Sequence, residues 1–151
     1  MAAKTRVFLD ASALFAGIWS DQGGARMVLR LGEAGAIQLL VSAQVLDEAE
    51  AALRRKAPQT LGLLALLLER SGARVVPSPP SDAVQRSRTL TGHAGDARVL
   101  AAAWFSQVDY FVTLDRKHFV DNAVLREAAP FPIGTPGDFL AWHRRQLVTG
   151  V

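Results

Sequence analysis

The sequence predicts an α/β protein: a three-layer α/β/α sandwich with a parallel sheet of about four or five strands. Three observations predict it. Short apolar runs such as "RVFLD" and "YFVTL" alternate with longer segments that carry an apolar stripe at helical spacing. The short runs are apolar on both faces, as in strands covered by helices on either side. The segments between them are long enough to supply the crossover helices that parallel strands require.

Taken in order, Arg6–Asp10 reads as the first strand, followed by a short helix over Ser12–Ile18 and another over Gly23–Leu31. "AIQLLVS", Ala36–Ser42, is the second strand. "AQVLDEAEAALRRK", Ala43–Lys56, is a helix that ends before Pro58, where a proline cannot continue it. Thr60–Arg70 is a helix closed by Gly72, and "ARVVP", Ala73–Pro77, is the third strand. Ser81–Ser87 and "GDARVLAAAWFSQ", Gly95–Gln107, are helices. Tyr110–Leu114 is the fourth strand and Phe131–Thr135 the fifth. Pro136–Leu147 is a closing helix with proline in its first turn.

A length of 151 residues suits one domain spanning 1–151. Half of the residues are hydrophobic and 21% are charged, an ordinary globular composition. The absence of cysteine excludes disulfides and thiolate zinc sites and makes the reducing cytoplasm the expected compartment. Lys4 and Arg6 precede only a three-residue apolar run, too short for a signal peptide. "LGLLALLL", Leu61–Leu68, falls far short of a membrane span, so no membrane association is expected. The net charge is +3, carried by 14 arginines and only 3 lysines. Arginine binds phosphate bidentately, which fits a phosphate-rich partner. Solvated surface arginines in an arginine- and alanine-rich sequence explain the same numbers.

In open parallel sheets, ligands bind outside the carboxyl ends of the strands. Two strands deliver an aspartate there: "VFLD" ends at Asp10 and "VTLD" at Asp115. If the two strands are neighbours, both carboxylates lie on one sheet edge, within reach of one metal ion. Asp96 opens the helix whose apolar stripe is Val99, Leu100, Ala103 and Trp104. Its competing role is to cap that helix and complement its dipole. On the helix after the second strand, Val45, Leu46, Ala49 and Leu53 form the buried arc and Asp47 points to solvent. Glu48 and Glu50 flank the arc. Glu50 is spaced for an ion pair with Arg54, which leaves Glu48 as the candidate that reaches a cleft. Three or four carboxylates in one place raise each other's pKa values unless a cation compensates. Oxygen donors with no histidine or cysteine among them favour Mg²⁺ or Mn²⁺ over zinc. Such ions activate water and stabilise the leaving oxygen in phosphodiester cleavage.

The set "FLDAS", "VSAQVLDEAEAAL", "GDARVLAAA" and "VTLDRKHF" resembles the PIN-domain family over nearly the whole chain. Each motif is short and degenerate; the ordered set of four acids carries the resemblance. It implies a metal-dependent endoribonuclease with a parallel sheet between helices. Many small bacterial members are VapC-like toxins of type II toxin–antitoxin pairs, often dimeric. By that resemblance Asp10, Glu48, Asp96 and Asp115 are the catalytic and metal-binding acids, and Ser12 and Thr113 are hydroxyls beside the metal. RNA is then the substrate, and an antitoxin protein and a second copy of the chain are the expected partners.

Other residues allow two readings each. Arg116 and Lys117, with His118, either contact RNA phosphates or form a solvated turn. His93 and His143 show no metal-ligand spacing and read as surface histidines. Trp19, Trp104 and Trp142 could stack bases but read as core or interface packing. Leu61–Leu68 is apolar almost all round, more than one buried stripe needs, and suits a dimer contact or an antitoxin segment. Two other functions compete. An aspartyl-phosphate phosphotransfer domain also places an Asp after its first strand, but the phosphatase pattern needs a second Asp where this chain has Ser12. A receiver domain needs paired acids that are absent before the first helix. A non-catalytic RNA- or protein-binding module of the same fold is the other alternative.

Overall fold

The computed structural model describes residues 3–149. The elements run β1 (Thr5–Leu9), α1 (Ala11–Trp19), α2 (Gly24–Glu33), β2 (Ile37–Val41), α3 (Ala43–Lys56), α4 (Leu61–Arg70), β3 (Arg74–Val75) and α5 (Ser81–Thr91). They continue with α6 (Ala94–Phe105), β4 (Tyr110–Val112), α7 (Ala123–Ala128), β5 (Ile133–Gly134) and α8 (Pro136–Thr149). A 3₁₀ turn at Pro58–Thr60 leads into α4, and one π-helical turn at Arg116–Val120 follows β4.

All strand pairs are parallel, and the sheet order is β3-β2-β1-β4-β5. The chain winds from β1 outward to β3, then returns across β1 to β4 and β5. Right-handed crossovers therefore put α1–α4 on one face of the sheet and α5–α7 on the other, with α8 packed back against α2. The direction reverses between β1 and β4, and the crevice of a doubly wound sheet opens at such a switch point.

The helical crossovers explain the apolar strands. Val7, Phe8, Leu39, Phe111 and Val112 have no solvent exposure, because both faces of the sheet are covered. α6 is buried almost all round, through Ala97, Val99, Leu100, Ala101, Ala102 and Ala103. Its small side chains let it lie between the sheet and α5. α3 has the limits the sequence predicts: Ser42 caps it by accepting from Val45 N at 3.1 Å, and Asp47 faces solvent.

The structure corrects four sequence expectations. β4 ends at Val112, so Thr113, Leu114 and Asp115 belong to the loop beyond it. α5 continues past Ser87 to Thr91, where Gly92 at φ 76° closes it in the left-handed region and turns the chain toward α6. The π-turn and α7 have no counterpart in the sequence reading; they depend on Asp115 and Asn122 as caps, with Asn122 accepting from Leu125 N at 3.1 Å. His143 is buried, 7% exposed, with its ring stacked on Phe139 at 5.5 Å, and is not a surface histidine. Among the tryptophans, Trp104 packs on Phe131 and Trp142 on Tyr110, while Trp19 is 52% exposed and stacks on Phe15. Among the described residues, no helix is long and apolar enough to cross a membrane.

Candidate acidic centre and its histidines

The register fixes the centre of the site. Leu9 pairs with Val112, so Asp10 and Thr113 leave the sheet side by side, and Asp10 N donates to Val112 O at 3.1 Å. Asp10 then caps α1. Its Oδ1 accepts from Ala13 N at 2.9 Å and from Ser12 Oγ at 2.7 Å, and its Oδ2 accepts from Thr113 Oγ1. Each of these hydroxyls is itself oriented by a backbone donor from the loop after β4. Leu114 N donates to Ser12 Oγ at 2.9 Å, and Asp115 N donates to Thr113 Oγ1 at 2.9 Å. With one lone pair occupied, each hydroxyl is left to aim its proton at Asp10.

Asp10 is only 6% exposed. Burial pushes its carboxyl up to about 6; the bonds from Thr113, Ser12 and Ala13 oppose the rise and the negative Asp115 adds to it. Asp96, in the first turn of α6, is also raised. Burial is the main cause, His118 opposes it, and Asp115 raises it further. Asp115 therefore acts on both other aspartates. The position that caps α6 is His93, whose side chain makes no capping bond, and Asp96 stands three residues further on.

Asp115 caps the π-turn. It accepts from His118 N at 3.0 Å through Oδ1, and its Oδ2 lies 2.8 Å from His118 Nδ1. His118 Nδ1 also lies 3.9 Å from Asp96 Oδ2, and the ring meets His93 edge-on, with centroids 4.6 Å apart. One donor atom from each of His93, Asp96 and His118 lies within 4.8 Å of the other two.

Glu48 is exposed on α3 and accepts from Gln44 Nε2 at 2.7 Å. Gln44 also donates to Gly95 O at 3.1 Å and accepts from Arg98 Nε at 3.0 Å, which joins α3 to the start of α6. Glu48 and Ser12 line one groove, together with Phe15 and Trp19. Glu50 pairs with Arg54 at 2.5 Å, as its spacing predicts. Arg116 and Lys117 are exposed, with Arg116 3.8 Å from Asp121.

The structure thus brings Asp10, Asp96, Asp115, Ser12 and Thr113 to the β1/β4 edge and places Glu48 in a groove that Ser12 also lines. One expectation needs correction. "VFLD" and "VTLD" are not equivalent: Thr113, not Asp115, stands beside Asp10, because β4 ends two residues earlier than the echo implies. A second correction concerns the donors. The acids are not free of histidine, since His93 and His118 both adjoin Asp96. Sequence reasoning read His118 only as a phosphate contact or part of a solvated turn, although its spacing of three from Asp115 is that of a capped turn. It read His93 as a surface histidine and passed over Gln44, because only the packing of α6 beside α3 and the π-turn brings them in.

The fold with this acidic edge defines the class. The PIN domain profile matches residues 6–117, and the chain belongs to the PIN-domain family, whose members are generally nucleases. Two solved structures share the fold. PAE2754 from Pyrobaculum aerophilum superposes with a TM-score of 0.61 at 23% identity, covering 94% of this chain and 98% of that one. VapBC2 from Rickettsia felis, solved bound to a DNA fragment from their promoter, gives 0.63 at 16% identity, covering 86% and 97%. No curated protein matches the sequence.

Proposed function

We propose that the chain, one PIN domain over 1–151, is a Mg²⁺- or Mn²⁺-dependent endoribonuclease that cleaves RNA phosphodiester bonds. The observation that carries this reading is Asp10: a buried carboxylate at the topological switch point, raised to about 6 with a second aspartate adding to the rise. A buried acid left in that state destabilises the fold, and a divalent cation removes the conflict. Asp10, Asp96 and Asp115 would hold the ion, with Glu48 reaching it from α3. The oxygen donors fit a hard ion that keeps several of its waters. Bound there, the ion supplies an activated water and charge stabilisation for the leaving oxygen.

The chain's own residues do the rest. Ser12 and Thr113 hold both oxygens of Asp10 and fix its rotamer. Asp115 anchors the π-turn, so Arg116 and Lys117 project beside the acids as phosphate contacts. In this reading the chain is the cytoplasmic toxin of a type II pair. The apolar groove of Leu46, Leu61, Leu64, Ala65 and Leu68 between α3 and α4, with exposed Trp19, provides surfaces for an antitoxin segment and a second copy.

The test is cleavage of total RNA with Mg²⁺ or Mn²⁺. Asp10→Asn and Asp96→Asn each lower the rate by about a hundredfold or more while circular dichroism stays native. Cleavage that survives EDTA, or survives both substitutions, overturns the reading. Metal-binding without any cleavage would favour the non-catalytic module.

A further inference from the structure

We propose that His93, Asp96 and His118 form a second metal site, which takes a borderline ion such as Zn²⁺ through two imidazole nitrogens and one carboxylate oxygen. Three separate points of the chain converge on it. His93 precedes α6, Asp96 lies one turn further on the same side, and His118 comes over from the π-turn after β4. One donor atom from each already lies within 4.8 Å of the others. Donors around one tetrahedral zinc stand roughly 3.4 Å apart, given ligand distances of about 2.0–2.1 Å. Small side-chain rotations close that difference, and the exposed His93 leaves an entry path.

His118 is prepared for the role. An ionised Asp115 can only accept, so Nδ1, 2.8 Å away, carries the proton and Nε2 keeps its lone pair. A carboxylate behind a ligating imidazole fixes the tautomer and raises the basicity of the ligand. The donor set also separates this site from the carboxylate centre. Two imidazoles with one carboxylate suit zinc, whereas Mg²⁺ prefers oxygen alone. Three protein ligands leave the fourth zinc position for water.

Asp96 belongs to both sites. Zinc held by the histidines therefore withdraws Asp96 from the carboxylate centre, and the nuclease is inhibited by zinc while Mg²⁺ is present. That consequence rests on the proposed nuclease activity; zinc binding itself does not.

The experiment is calorimetric titration of the full chain, first stripped of bound metal and then placed in excess Mg²⁺, with Zn²⁺ as the titrant. The expected result is one Zn²⁺ per chain. His93→Ala and His118→Ala each weaken it by roughly tenfold or more, and Asp10→Asn does not weaken it. His93 is exposed, so His93→Ala tests the site without disturbing the core. No zinc uptake in excess Mg²⁺ overturns the proposal. So does an Asp10→Asn loss as large as the His93→Ala loss, which would place zinc in the carboxylate centre. Zinc bound through His93 by a chain that cleaves no RNA upholds this site and overturns the nuclease reading.

Discussion

Asp10 concentrates the molecule's electrostatic strain at one residue. Its carboxyl is held at about 6, above the ordinary 3.8, because burial outweighs three hydrogen bonds. The folded state therefore binds that proton more tightly than the unfolded chain. In metal-free protein, the contribution of Asp10 is most favourable below about pH 4, is lost as pH rises through 6, and stays lost above. The loss is about 3 kcal/mol, since each tenfold difference in proton affinity between the two states is worth about 1.36 kcal/mol. Asp96 works in the same direction, and Asp138, lowered by its bonds at Thr135, works in the opposite one. Comparison with Asp10→Asn isolates the Asp10 part. Urea unfolding in EDTA at pH 4.5 and 7.5 should show a steeper fall for the wild type. At pH 7.5, Asp10→Asn should be more stable by roughly 1–2 kcal/mol. An Asp10→Asn profile parallel to the wild type would disprove this account. Addition of Mg²⁺ should raise wild-type stability at pH 7.5 and raise Asp10→Asn less.

At the scale of elements, caps do more than end helices. Ser42, Asp10, Asp115 and Asn122 each accept an N–H from the first turn they precede. Asn122 also donates through Nδ2 to Leu90 O at 2.9 Å and His118 O at 3.1 Å. It thereby ties α5, the π-turn and α7 together behind the histidines. Asn122→Ala should lower stability by about 1–2 kcal/mol, the usual range for a lost cap, and should speed hydrogen exchange selectively at His118–Leu125. Uniform exchange changes across the sheet would contradict this. Gly32 marks another contact between elements. A Cβ there would lie 2.8 Å from Ser71 O and 2.6 Å from Leu39 Cδ1, so α2 could not sit this close to β2. Gly32→Ala should cost roughly 1–3 kcal/mol in a denaturation series, although alanine favours an isolated helix.

For the whole molecule, an aromatic cluster joins β1 and β4 at the switch point. Phe111 has no solvent exposure and packs on Phe8 at 5.4 Å, Phe119 at 5.0 Å and Phe131 at 6.2 Å between centroids. These residues come from both central strands, the π-turn and the approach to β5. Phe111→Ala should destabilise by about 3–5 kcal/mol and loosen the loop that carries Asp115. A smaller loss, under about 1 kcal/mol, would show that the cavity collapses and that the site does not depend on this cluster.

Local chemistry made much of this protein legible in its sequence. Alternating apolar runs and helical stripes gave the α/β class, and Pro58 and Pro136 gave the end of α3 and the start of α8, because those signals act within a few residues. Asp10 stood out because an acid directly after a buried strand has few uses. Tertiary structure alone decided the rest. Strand order placed β1 beside β4. Register placed Thr113 rather than Asp115 next to Asp10. The π-turn and the packing of α6 brought His118 and His93 to Asp96. Those pairings join residues far apart in the chain, and no local period records which distant side chain will arrive.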